Sequence, residues 1–305
     1  MSHYAIHPDF ERYASTKVPL SPWLLPVLQK LMGAVLARTP APEGICVREE
    51  RAYGRVPMTV FAPEALAAPS PCLVYFHGGA FALKAAPHHK RMVCRYAKEA
   101  ACQVFLVDYR LLPRHPFPAG LDDCRDAYRW VLENAAALGV DPRRIAVGGD
   151  SAGGALATGV CLAARDAGLP RPCFQLLVYP VADSRMESDS MARYPDTPLW
   201  NSGLDRKMWG LYLKNGDAGQ RSYASPLEAA SFAGLPPAYI EVAEFDCLHD
   251  EGLALAAALV AAGVPVERNE TQGTIHGYDQ ALDSAITEAS VQCRLAALHR
   301  AFSTI

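Results

Sequence analysis

The sequence predicts an α/β fold, a mostly parallel eight-stranded sheet covered by helices on both faces. Three observations carry this. Short apolar runs of strand length alternate with longer stretches of helical periodicity along most of the chain. Runs such as PCLVYFH (71–77) and CQVFLVDY (102–109) are apolar almost throughout, as strands covered on both sides are. The 305 residues, half of them apolar, suffice for one large α/β domain with an added lobe or for two modest domains. The alternation continues past its one interruption, so a single domain over 1–305 is expected.

The elements follow in order. Residues 1 to about 40 read as helical, with SPWLLPVLQKLMGAVLA at helical spacing. ICVREER and VPMTVFAP read as strands. PCLVYFH is a buried strand ending in Gly78-Gly79, HHKRMVCRYAKEA a helix, and CQVFLVDY another buried strand. Residues 119–138 read as a helix, RRIAVGG as a strand, SAGGALATGVCLAARDAG as a helix and CFQLLVYP as a strand. Between about 183 and 232 the pattern breaks into helices joined by loops. It resumes with the strand PPAYIEVAEF, the helix EGLALAAALVAAG, the strand VPVERNET and a last helix over about 279–303. The N-terminal helices (about 1–42) and the insert (183–232) are expected to form a helical cap over the carboxyl edge of the sheet, where open α/β sheets bind ligands.

A net charge of -3 gives no reason to expect nucleic acid or an anionic membrane as partner. No apolar run approaches the ~18 residues of a membrane span, and MSHYAIHPDFERY lacks the apolar segment of a secretory signal. Nine scattered cysteines with no Cys-x-x-Cys pair argue against a disulfide framework or zinc site and for a reducing cytoplasm. His88-His89 and the His3/His7 pair have no carboxylate at metal-ligand spacing and read as solvated surface, so no metal is expected. Ser-x-x-Lys is absent, as are the glycine spacings of phosphate-binding loops.

The stretch GGDSAGG (148–154) places Ser151 where a strand hands over to a helix. A serine on so tight a turn needs a backbone with φ above zero, and small residues at Gly149 and Gly153. This is the spacing of a nucleophile elbow. By itself it also fits a plain turn whose serine caps the helix.

A nucleophilic serine needs a base, and the base an acid that orients it. After Ser151 the histidines are His249, His276 and His299. His276 follows the last strand, at the expected edge of the sheet, and is the candidate base. His249 opens a helix beside acids, and His299 lies inside the final helix. Asp246, first after the strand PPAYIEVAEF, is the candidate acid, with Asp250 in reserve. Asp150 reads as a local hydrogen-bonding partner. Oxyanion donors are expected from the backbone of Ala152 and of HGGAF (77–81), with His77 holding that loop.

HGGAF, GDSAGG and GTIHGY together resemble the hormone-sensitive-lipase-like esterases, the bacterial family IV group of the α/β-hydrolase fold. DYRLLPRHPFPAGLDD and ASPLEAASFAGLPPAYIEVAEFDCLHDEG extend the resemblance over about 45–300. It implies triad roles for Ser151, Asp246 and His276. It implies an oxyanion hole from the N–H groups of Gly79, Ala80 and Ala152, helped by the Gly78 turn. It also implies hydrolysis of short- to medium-chain acyl esters, no cofactor, a small-molecule ester as partner, and either a monomer or a homodimer. The chain departs from the family pattern at Ala80, where a third glycine is usual, and at Lys84, Leu112, Arg114, Ala155, Cys247 and His249. Phe81 is a candidate substrate contact. Trp200, Met208, Trp209 and Tyr212 either line the pocket or form the cap's own core. Two other functions fit the same fold: a catalytically silent ligand-binding protein, as the plant gibberellin receptor is, and an amidase using the same triad.

Overall fold

The computed structural model describes residues 4–303. Its sheet contains β1 (Ile45–Ala52), β2 (Val56–Pro63), β3 (Ser70–Phe76), β4 (Gln103–Val107), β5 (Val140–Asp150), β6 (Gln175–Val178), β7 (Ala238–Phe245) and β8 (Val266–Ile275). The spatial order is β1-β2-β4-β3-β5-β6-β7-β8. β2 runs antiparallel to β1 and β4, and the remaining pairs are parallel. The helices are α1 (Pro8–Glu11), α2 (Leu25–Arg38), α3 (Pro87–Glu99), α4 (Ala119–Glu133), α5 (Ala135–Leu138), α6 (Ala152–Asp166), α7 (Asp189–Arg193), α8 (Ser202–Tyr212), α9 (Arg221–Ala224), α10 (His249–Ala261) and α11 (Ala285–Ser303).

The apolar runs of β3 and β4 are explained by burial on both sides. Successive side chains of a strand point to opposite faces. Cys72, Val74, Phe76, Phe105 and Val107 therefore enter one core, with Leu121 of α4, Leu156 of α6 and Leu255 of α10. Leu73, Tyr75, Val104 and Leu106 enter the other, with Val93 of α3 and Leu295 of α11. β1, at the edge, carries exposed or half-buried Arg48, Glu49, Glu50 and Arg51 between buried ends. Charges of this kind discourage pairing with another chain.

Several boundaries differ from expectation. The helix expected over 119–138 is interrupted at Asn134, and α5 closes on Gly139 at φ 66°. The N-terminal segment is only partly helical. Between α1 and α2 it is irregular, and Lys17 pairs with Leu199 of the insert. The expected last strand continues four residues further, so β8 ends directly before His276. The insert holds α7, α8 and α9 joined by loops, as its broken pattern predicts. Residues 1–3 of the expected cap lie outside the described residues. No helix among the described residues is long and apolar enough to cross a membrane.

Candidate active site

β5 hands over to α6 at Ser151, which adopts φ 55° and ψ -121°. This conformation is costly for a residue with a side chain and persists only when its surroundings hold it. The end of β6 does so. The Ser151 N–H donates to the Val178 carbonyl at 2.9 Å, and the Val181 N–H donates to the Ser151 carbonyl at 3.1 Å. The flanking glycines are required by space. A Cβ on Gly149 would stand 2.4 Å from Gly153 and Phe76 backbone atoms, and one on Gly153 would stand 1.9 Å from the Phe76 carbonyl oxygen.

The turn aims Ser151 Oγ at the imidazole of His276. The hydroxyl donates to His276 Nε2 at 2.9 Å. Nδ1–H of the same ring donates to Asp246 Oδ2 at 2.7 Å. Asp246 Oδ1 accepts the Leu248 N–H at 3.0 Å, which orients the carboxylate. Strand register explains the meeting of acid and base. Phe245 of β7 pairs with Ile275 of β8, so the next residue on each strand, Asp246 and His276, leaves the sheet beside the other. Burial by itself would lower the pKa of His276. The charge and hydrogen bond of Asp246 outweigh it and raise that pKa above the ordinary histidine value.

The other sequence candidates lie elsewhere. His249 Nδ1 meets Asp250 at 2.7 Å and its Nε2 meets Glu270 at 3.2 Å. Asp250 also accepts the Ser190 N–H at 2.8 Å. His299 is exposed on α11.

The loop after β3 is held from behind. His77 Nδ1–H donates to the Gly78 carbonyl at 2.8 Å, and the His77 ring stacks on Tyr109 with centroids 4.5 Å apart. The Tyr109 hydroxyl donates to the His77 carbonyl at 2.6 Å. Burial, reinforced by the nearby His89, pushes the His77 pKa down to about 4, so the ring stays neutral. The Gly78 N–H donates to Asp150 and is not turned toward Ser151. Those of Gly79, Ala80 and Ala152 have no acceptor among the described residues. Gly79 has φ 111°, and Ala80 has φ 58° although it carries a side chain. That conformation costs about 1–2 kcal/mol for a non-glycine residue, and it marks Ala80 as a strained position beside Ser151.

The sequence reading of His88-His89 as solvated surface is corrected here. His89 is buried: its Nδ1 accepts the Ala86 N–H at 2.9 Å, so the proton sits on Nε2, which donates to Asp150 at 3.1 Å. His88 lines the cavity above Ser151, and burial pushes its pKa down to about 3. Histidine pairs on a helix look solvated in sequence because nothing local reveals a buried carboxylate more than sixty residues away.

Ser151 and His276 open on a cavity of about 280 Å³. Its walls include Gly79, Ala80, Leu83, Tyr179, Leu199 and Trp200. Trp200 of the insert approaches the His276 ring, with centroids 5.9 Å apart. Phe81, expected as a substrate contact, stacks instead on Tyr212 of α8, with centroids 3.8 Å apart and rings within 1° of parallel. It belongs to the core shared with Met208 and Trp209, which its neighbours in the sequence could not reveal. Sequence reasoning missed Asp205 of α8. This carboxylate is fully buried and accepts the Trp200 indole N–H at 3.2 Å. Burial pushes its pKa up to about 7. An acid in the first turn of a helix reads as an ordinary cap, so no local signal marks it.

Known proteins resemble this chain in both sequence and fold. The α/β-hydrolase fold family model matches residues 73–280. Carboxylesterase NlhH of Mycobacterium tuberculosis is 40% identical over 238 residues, 75% of this chain and 75% of its own. A bacterial heroin esterase structure superposes with a TM-score of 0.89 at 35% identity, covering 98% of both chains. The structure of esterase LipW from Mycobacterium marinum superposes with a TM-score of 0.89 at 32% identity, covering 98% of this chain and 96% of that one. With an eight-stranded sheet of this order and carboxylesterases among its relatives, the chain belongs to the α/β-hydrolase fold family, in its hormone-sensitive-lipase-like group of ester hydrolases.

Proposed function

We propose that the protein hydrolyses carboxylic esters of short- to medium-chain acids, with Ser151 as nucleophile, His276 as general base and Asp246 as the acid that orients it. The observation that carries the reading is the unbroken hydrogen-bond chain Ser151–His276–Asp246, 2.9 and 2.7 Å long, opening on a cavity. That cavity lies near the lower end of the ~300–1,000 Å³ range of ligand pockets, which suits small esters. The N-terminal segment (4–42) and the insert (183–232) act as its cap: Thr16, Lys17, Val18, Leu199 and Trp200 roof it.

Ser151 Oγ attacks the acyl carbonyl while its proton passes to His276 Nε2. Asp246 stabilises the imidazolium through Nδ1–H. The carbonyl oxygen gains the electron pair and is held by the N–H groups of Gly79, Ala80 and Ala152, with α6 presenting its N-terminus to the same charge. The tetrahedral intermediate collapses, the C–O bond to the alcohol breaks, and His276 returns the proton to the departing alkoxide. Water then attacks the acyl-enzyme with His276 again as base, which releases the acid and restores Ser151. We place this activity in the cytoplasm: all nine cysteines are unpaired thiols, six of them buried, as suits a reducing compartment.

The test is the pre-steady-state reaction with p-nitrophenyl acetate. The unaltered protein should release nitrophenol in a burst and carry one acetyl group on the peptide containing Ser151. Ser151→Ala should lose the burst and about 10⁴–10⁶ of the rate, since triad members act as a unit. Full turnover by Ser151→Ala overturns the reading.

A further inference from the structure

Next to the cavity above Ser151 lies a second one of about 450 Å³. Its apolar lining includes Leu36 of α2, Val47 of β1, Phe61 of β2 and Leu106 and Val107 of β4. One residue, Lys84, lines both cavities. The residues around it sort to the two sides. Leu83 and Ala86 line the catalytic cavity, while Ala85 lines the second. On α2, Met32 lines the first and Gly33 the second. In the loop after β3, Gly79 and Ala80 line the first and His77 the second.

The Lys84 side chain runs beside α2 and ends in an ion pair. Its stem passes under α2, where a Cβ on Gly33 would stand 3.5 Å from Lys84 Cδ. Its ammonium donates to both Asp108 carboxylate oxygens at 2.7 Å. By its volume, whatever group its tip carries, an alkyl stem lining both cavities excludes other atoms from the space between them.

We infer that Lys84 is a specificity-determining wall that separates the catalytic cavity from the second cavity and so limits the length of ester turned over. The inference rests on the ester-hydrolase reading above. The substrates that the wall excludes are esters with longer unbranched alkyl chains, because the methylenes beyond Lys84 would be buried against Leu36, Phe61 and Leu106. Truncating Lys84 leaves no charge stranded in the interior, since the Lys84 and Asp108 side chains are 32% and 45% exposed.

The experiment is kcat/KM across nitrophenyl esters from acetate to decanoate for the unaltered protein, Lys84→Ala, Lys84→Ser and Lys84→Met, with circular dichroism to verify the fold of each. In the Ala and Ser variants the decanoate-to-acetate ratio of kcat/KM should rise about tenfold or more. Lys84→Met keeps the stem and loses the charge, so its ratio should stay at the unaltered value. An unmoved ratio in whichever of the Ala and Ser variants folds, with acetate turned over, overturns this inference alone. A rise in Lys84→Met equal to that in Lys84→Ala also overturns it, because charge would then be the determinant. Absence of acetate turnover by the unaltered protein overturns the ester-hydrolase reading, and the inference with it.

Discussion

Asp150 Oδ1 accepts the Gly78 N–H at 3.0 Å, so the residue directly before Ser151 anchors the loop that follows β3. The same buried carboxylate accepts the Tyr75 hydroxyl at 2.8 Å and the His89 Nε2–H at 3.1 Å. The two halves of the site, one from β5 and one from β3, are thereby fixed relative to each other. The fit is close, since a Cβ on Gly78 would stand 2.1 Å from Asp150 Oδ2.

Asp150 acts as a positioning residue, and Asp150→Ala tests this. It strands the donors of Tyr75, Gly78 and His89, each costing about 1–3 kcal/mol when buried without a partner. Urea unfolding should show a loss of several kcal/mol. Steady-state kinetics should show kcat reduced toward the 10²–10³ of a lost oxyanion donor, with KM little changed. Burial would raise the Asp150 pKa, but the hydrogen bonds from the His89 Nε2–H and the Tyr75 hydroxyl outweigh it and hold that pKa below the carboxylate range. A group depressed on folding contributes stability above its unfolded pKa of about 3.9 and loses it as pH falls through the folded value. The unaltered protein should therefore lose more stability below about pH 4 than Asp150→Asn does.

Under the proposed mechanism the pH dependence of kcat/KM should report on His276. Only the neutral imidazole can take the Ser151 proton, and Asp246 holds the imidazolium pKa above the ordinary value. The acid limb should therefore lie above the ~6.5 of an unperturbed histidine. Asp246→Asn should move that limb to lower pH and reduce kcat by about 10⁴, as expected when the imidazole loses the partner that fixes its tautomer. A limb that stays in place in Asp246→Asn would show that another group controls it.

Gly153→Ala tests the steric account of the elbow. Its Cβ would overlap the Phe76 carbonyl oxygen, a backbone atom that cannot swing away, so β3 and α6 must separate. The variant should lose at least about 1–3 kcal/mol and most of its activity, because Ser151 moves with α6. Gly210→Ala, where no atom lies within 4 Å of an added Cβ, should be neutral or stabilising in a thermal melt.

Arg294 carries a structural prediction far from the cavity mouth. The guanidinium is fully buried on α11. Its Nε donates to Glu241 at 3.1 Å and its NH1 to Asp279 at 2.8 Å. Asp279 in turn accepts the Tyr179 hydroxyl, and the Tyr179 ring packs on His276 with centroids 4.7 Å apart. Arg294→Leu should cost about 3–5 kcal/mol by leaving two buried carboxylates unpaired. Adding Glu241→Gln should recover part of that loss in urea unfolding.

The sequence by itself determined the strand–helix alternation, the eight strands, Ser151 on its turn, and the order of Asp246 and His276 after it. These are local properties: periodicity, glycine at crowded positions, and chain order. Tertiary structure alone decided what each side chain faces. It turned Phe81 from the cavity to Tyr212, buried His89 against Asp150 and set His88 on the cavity wall, drew Asp205 into the interior beside Trp200, and set Lys84 between two cavities. Each of these depends on residues tens or hundreds of positions apart. Whether a polar side chain meets water, a partner or a void is fixed only when those distant segments pack, and no local pattern encodes that.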